Sequence, residues 1–459
     1  MALFPRIIDR VVFYGLLALL VVIAIPYGSV QQWWVALFEC VVFVFAILAI
    51  IDLLLTKDAL PAGSRVALPL LILCLFLIFQ SLPFLGFSNS VFPDLRRAIS
   101  ADPFTTQQLS IKLFALIVAG ILLLRYINTE SRLRVLTYTV IAIAVCSALF
   151  GLMRHGSGGP RWFFPLPKDT RGFAQFVNRN HFGFLVEMAF GLIAGLVIRG
   201  TEGYRRWVLA AFAAFLWISL VVANSRGAIL ATLCQLLFLI VAANPFHVRF
   251  PGFRGESRWQ MGKAFAVQGL LMIVLVSAFA YGVRWVGGET VVSNFELTTI
   301  GFSQQGGHER RENVSRRDVW SATWRLFKAH PVLGSGFGAY WIAITRHHDA
   351  SGDFTPQEAH NDYLELLAAG GIVGTALCAW FVLLVLLRAI GVLKVVGWAG
   401  GAALGAMVGA FGVMVHNLVD FGLHITINAV ILMTLIVIII RVSEGMSESK
   451  ALGTRPAAP

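Results

Sequence analysis

Residues 34–55 read WVALFECVVFVFAILAIIDLLL, an apolar run interrupted by only two charges, Glu39 and Asp52. At about 1.5 Å of rise per residue, such a run wound as a helix spans about 33 Å, enough to cross the hydrocarbon core of a bilayer. This reading decides the fold because it repeats. Further apolar runs lie near 11–25, 66–85, 109–124, 133–152, 182–198, 206–223, 226–243, 265–283, 362–388, 398–415 and 424–441. With the first they make twelve candidate spans. Composition agrees: 58% of the 459 residues are hydrophobic and 13% charged, where a soluble domain carries about 25% charge. The mean hydropathy is +0.78. A soluble domain, a disordered chain and a disulfide scaffold are excluded on these grounds. The expected fold is an all-α polytopic membrane protein of about 12 transmembrane helices, with a large, partly helical outer loop before the tenth. Residues 1–283 hold helices one to nine, 284–361 the loop, 362–441 helices ten to twelve, and 442–459 a cytoplasmic tail.

Cys40, Cys74, Cys146, Cys234 and Cys378 each fall inside an apolar run, so neither a disulfide framework nor a zinc site is expected. The net charge of +12 raises the question of which membrane side holds the excess. Lysine and arginine accumulate in short cytoplasmic loops. With the N-terminus inside, short inner segments hold about 19 of the 36 basic residues, short outer ones about 9, and the long loop 8. Both termini are therefore expected in the cytoplasm. One outer loop runs against that bias, with Arg154, Arg161, Lys168, Arg171 and Arg179 facing a single acid, Asp169. Attraction of an anionic ligand and contact with lipid headgroups are equally open readings. Nucleic acid is not an expected partner; membrane lipid is.

Four polar clusters fall at outer helix ends: NRNHFGF (178–184), NSRGA (224–228), AHNDYLELL (359–367) and HNLVDFGLH (416–424), opening the sixth, eighth, tenth and twelfth spans. Helix N-termini present unpaired N–H groups and partial positive charge, which suits an anion such as pyrophosphate. Asn, Ser and Asp are also ordinary caps, and Asp362 with Glu365 reads as a capping box. Capping does not call for Arg226 or for His181, His360 and His416, so the combination favours a site. Arg226, in a very short connection at the outer boundary, either snorkels to headgroups or holds a lipid-linked phosphate. Glu187, one to two turns into the sixth span, is an ionisable group in the membrane and a functional candidate on that account. Lys112, near the start of the fourth span, reads equally as its partner or as a residue snorkelling outward.

In the long loop, VSRRDVWSATWRLFKAHP (314–331) places Arg316, Trp320, Trp324 and Phe327 on one helix face, with Arg317 and Arg325 elsewhere. An arginine on a packed face needs an anionic partner, for which a phosphate is suited. GSGFG (334–338) lacks the lysine of a phosphate loop and reads as turn chemistry. His347, His348 and Asp349 read as a surface tip rather than a metal site.

R-x-x-x-W at Arg316–Trp320, HPVLGSGFGAY from His330 and HNDYLELLAAGGIVG from His360 resemble the O-antigen ligase/polymerase superfamily, as do the upstream NSRGA and NRNH segments. The resemblance covers most of residues 175–441. It implies a bacterial inner-membrane, metal-independent, inverting glycosyltransferase that needs no cofactor and works at the periplasmic face. The implied donor is an undecaprenyl-pyrophosphate-linked glycan. The implied acceptor is lipid A-core for a ligase or a lipid-linked glycan for a polymerase, in lipopolysaccharide or polysaccharide biosynthesis. On that reading His360 is the candidate base, and Arg226, Arg316, Arg317 and Arg179 are candidates for the pyrophosphate. Asn361, Asp362, Tyr363, Glu365, His181 and Asp420 orient the base or bind sugar. The alternative is a membrane transporter or flippase for a lipid-linked or anionic substrate, which would show polar, broken helices near the midplane.

Overall fold

The computed structural model describes residues 3–83, 98–156, 172–243, 316–348 and 356–451, and among these it is all-helical apart from one isolated bridge, Phe173 to Phe176. The helices are α1 (Leu3–Ala24), α2 (Gln32–Thr56), α3 (Leu68–Ser81, entered by a 3-10 turn at Ala62–Ala67), α4 (Pro103–Tyr126) and α5 (Glu130–Gly156). After them come α6 (Arg179–Gly195, prolonged by a π turn to Gly200), α7 (Gly203–Ala223), α8 (Arg226–Ala243), α9 (Arg316–Ala329), α10 (Asp362–Val392), α11 (Gly397–His416) and α12 (Thr426–Ala451). Ten segments among the described residues are long and apolar enough to cross a membrane, and α8 is a shorter apolar helix. The span expected at 265–283 lies outside the described residues, as do 84–97 and most of the basic loop, including Arg161, Lys168, Asp169 and Arg171.

The centre of the bundle is a seam between α6 and α11. Gly191 and Gly195 of one helix meet Gly401, Gly405 and Gly409 of the other so closely that an added Cβ on Gly195 would strike the Gly405 backbone. Lipid tails are as apolar as the side chains, so helices in a bilayer associate largely through such close packing. The seam draws α6 into the middle, where nearly every residue from Asn180 to Ile193 is buried.

Ionic contacts join the helix ends on one side of the bundle. Arg125 of α4 meets Asp52 of α2 at 2.6 Å, Arg132 pairs with Asp9, and Arg441 of α12 donates to the Ile127 carbonyl at 2.7 Å. The polar motifs gather at the opposite side.

There α10 is broken. Gly371, at φ 59° and ψ −162°, interrupts the helix. The segment PVLGSGF fills the gap: the Ser335 and Gly336 amides donate to Ala368 and Ala369 (2.9 and 3.0 Å), while Ile372 and Val373 donate to Pro331 and Val332 (2.9 and 3.2 Å). Gln80 of α3 completes the join, giving its amide to Leu333 O and Ala369 O and accepting from Phe337 N. Irregular backbone inside a membrane protein persists only where every such group is satisfied. Gly334, Gly336 and Gly338 all have positive φ, so the turn reading of GSGFG holds.

Candidate functional site

The site is assembled by bonds between termini that are far apart in sequence. Asn178 caps α6 by accepting from the Asn180 amide at 2.9 Å. This presents the Asn180 side chain inward, where its nitrogen donates to Asp420 and its oxygen accepts from Ser225 Oγ at 2.9 Å. Arg179 and Arg226 open α6 and α8 beside these two residues, both half-buried. The Asp362 amide donates to Asn417 O at 3.0 Å, joining the start of α10 to the end of α11. Asn428 of α12 donates to His181 O at 3.0 Å.

Asp420 is the electrostatic centre. It is fully buried, accepts from Asn180 and from its neighbour Phe421 N (2.9 Å), and its Oδ1 lies 3.8 Å from His360 Nδ1. At that separation the contact is electrostatic rather than a hydrogen bond. Burial alone would raise the carboxyl, but His360, His181 and His416 outweigh it and hold Asp420 below the usual carboxylate range. His360 has φ 51°, an uncommon conformation for a non-glycine residue. Cap bonds on both sides hold it: Asn361 Oδ1 accepts from Leu364 N at 3.0 Å, and Glu365 reaches back to the Ala359 amide at 2.9 Å. Residues held this way concentrate at functional sites. The Phe421 ring is the hub, edge-on to His181, His360 and His424 at 5.1, 5.0 and 5.7 Å.

Several expectations change here. The cap of α10 is Asn361, not Asp362, because Asn361 takes the extended backbone and accepts from Leu364 N. Asn361 is thus committed to the backbone and Asp362 is not. Tyr363 points to α11, donating to Met414 O at 2.7 Å. HNLVDFGLH does not open the twelfth span: His416 ends α11, Asp420 lies in the connection, and His424 lies in a 3-10 turn before α12. Glu187 pairs with His416 at 3.0 Å, whereas Lys112 donates to the His424 carbonyl at 2.8 Å.

The outer helix α9 packs through Val319, Ala322, Thr323 and Leu326, one residue off the expected Trp320–Trp324–Phe327 stripe, and leaves Trp324 exposed. Trp320 Nε1 donates to Ala359 O at 3.0 Å, so α9 braces the residue before His360. Position 316 lies one turn ahead of Val319, but the Arg316 side chain is outside what the structure describes. Arg317 is exposed.

Two participants were not singled out from sequence. His424 Nδ1 lies 3.2 Å from Glu358, and its Nε2 lies 3.6 and 3.7 Å from Asp362 and Glu365. Burial opposes a charge on His424, yet Glu358 and Glu365 push its pKa up to about 10; His424 in turn holds Glu358 below the ordinary value against the effect of burial. The signal was available: His416, Asp420 and His424 recur every fourth residue. Glu358, Glu365 and His424 offer ligand atoms within 4.8 Å of one another.

The arrangement places a histidine backed by a buried carboxylate beside arginines at adjoining helix starts. Residues 210–379 match the family model described as O-antigen ligase, a stretch that includes Arg226, Arg316, Arg317 and the HND segment. The match supports the O-antigen ligase/polymerase superfamily and, with it, a function in glycan assembly. No curated protein matches the chain significantly.

Proposed function

We propose that the protein is an inverting glycosyltransferase that moves a glycan from undecaprenyl pyrophosphate to an acceptor sugar hydroxyl at the periplasmic face of the bacterial inner membrane. The observation that carries this reading is the convergence of His360, Asp420, His181 and the starts of α6 and α8 at one end of the bundle. In the transfer step the acceptor oxygen attacks the anomeric carbon. The bond from that carbon to the pyrophosphate oxygen breaks, its electron pair leaves on the pyrophosphate, and the hydroxyl proton passes to His360. Asp420 steadies the resulting imidazolium, as a buried carboxylate does in a catalytic triad. Arg226 and Arg179, with Arg316 and Arg317 from α9, meet the departing charge without a metal. Asp362, Glu365, His181 and the His424 group face the sugars.

Purified protein given a lipid-pyrophosphate glycan and an acceptor tests this directly. Transfer that resists chelation and is lost in both His360→Ala and Arg226→Ala is expected; undiminished transfer in both variants refutes the site. A deletion strain separates ligase from polymerase: long unattached chains mark loss of a ligase, short attached ones loss of a polymerase. A transporter would use the unwound backbone of a broken helix for ions or substrate, but at Gly371 those groups are bonded to residues 331–336.

A further inference from the structure

α6 and the end of α11 meet in two polar rungs. Asn180 and Glu187 are seven residues apart on one face of α6, and His416 and Asp420 are four apart where α11 ends. Asn180 bonds Asp420, and Glu187 bonds His416. The second rung is enclosed on every side. Glu187 and His416 are fully buried, the His416 ring stacks on Phe184 at 3.9 Å and 5°, and Gly183 and Gly227 line its edge. A Cβ on Gly227 would lie 2.5 Å from His416 Nε2. The ring therefore fits only because the residue after Arg226 has no side chain.

Stability does not account for this pair. His416 Nε2 and Glu187 Oε1 have no hydrogen-bond partner among the described residues, and apolar residues of similar volume commonly serve a buried position as well as an imperfectly satisfied pair does. What the pair does is set where the chain leaves α11. The His416 carbonyl accepts from Val419 N at 3.0 Å and Asp420 N at 3.1 Å, so the ring's seat determines where the Asp420 carboxylate points.

Resting on the function proposed above, we infer that Glu187 and His416 are positioning residues: seated against Gly227, they aim Asp420 at His360 and register the start of α8, with Arg226, against the same point. Neither touches substrate. The charged and titratable groups around His416 are Glu187 from α6, with Asp420, His181 and Asp362 farther across the site; those around His360 are Asp420, with Glu358 and His181 beyond.

The test uses the full-length protein in detergent or nanodiscs, with two readouts. In glycosyl transfer, Gly227→Ala and Glu187→Ala lower kcat about 100-fold, the scale of an ångström-sized misplacement, with acceptor KM little changed. Glu187→Gln, which keeps an oxygen for the imidazole N–H, recovers most of the loss. Combining Gly227→Ala with Asp420→Asn adds little to either alone, as expected of groups acting through one contact. A merely structural role would instead reduce folded protein, leave kcat per folded molecule intact and give no rescue by glutamine. The second readout needs no transfer activity: the rate of diethylpyrocarbonate modification at His360, followed on its peptide by mass spectrometry. Gly227→Ala carries that rate to the value of Asp420→Asn. A wild-type rate in either variant, or additive kcat losses, overturns the inference. Absence of transfer by the wild-type protein would overturn the proposed function while the modification rates still decide the ladder.

Discussion

The two walls of the site are built on opposite principles. On one, α6, α8 and α11 press together through glycines, and the polar groups Glu187, His416, Asp420, Asn180 and Ser225 are almost wholly buried. On the other, the starts of α10 and α12 carry groups that reach solvent: His360 is 24% exposed, His424 41% and Glu358 27%. On the proposed function, a fixed wall beside an open one suits transfer between two bulky glycans. On that reading, orientation would be set where water cannot compete, and the sugars would enter where it can.

Breaking the functional contacts across the two walls should have the largest effect. If His360 is the base, as proposed, His360→Ala is expected to lower kcat by about 100- to 10,000-fold, read as turnover in the purified assay. On the same proposal, Arg226→Ala removes one positive charge facing the departing pyrophosphate and is expected to cost about 100-fold. Arg226→Lys should restore only part of it, because an ammonium lacks the planar fork; full activity in the lysine variant would argue against a two-oxygen contact.

The packed wall can be tested without chemistry. Gly195→Leu forces a side chain into the Gly401 and Gly405 backbone, a clash worth about 1–3 kcal/mol or more, and should lower the thermal midpoint in detergent by several degrees. Gly391→Leu, where nothing lies within 4 Å, should not. Equal midpoints would mean the seam is not close-packed.

The smallest effect belongs to the open wall. The pKa of His424 is raised from 6.5 to about 10 in the folded protein. Its stabilisation is therefore complete below pH 6.5 and fades as pH rises towards and through 10. The melting temperature of the wild type should fall across that window, more steeply than that of His424→Gln. Parallel curves would show that His424 is not held as a cation by Glu358 and Glu365.

Much of the fold was legible in residues alone. Apolar runs of bilayer length located every described membrane helix, because a backbone in hydrocarbon must bond to itself, although α1 begins eight residues before its run and α12 ends ten residues after its own. Arg226, His360 and Asp420 were visible because charged and titratable groups at span ends are scarce enough to stand out. Other features were not legible, for reasons of the same kind. The cap of α10 moved from Asp362 to Asn361 because caps compete within one residue of each other and backbone geometry decides. The packed face of α9 lies one residue from the expected stripe, on Val319, Ala322, Thr323 and Leu326, because apolar periodicity does not say which flank of a helix meets its neighbour. The choice between Lys112 as partner of Glu187 and Lys112 as a snorkelling residue stayed open in the sequence, because a span carries no information about which neighbour it faces; Glu187 pairs with His416 and Lys112 donates to His424 O.

By itself, then, the sequence determined that this chain lives in a membrane, roughly where it crosses, and which polar segments lie at helix ends. Hydrophobic length and local capping depend on neighbouring residues and need nothing else. Tertiary structure alone decided that HNLVD ends α11 and faces the start of α6, that Asp420 backs His360, and that the residue after Arg226 must be glycine. Those depend on contacts between positions some 45 to 240 residues apart, which close packing of the bundle selects.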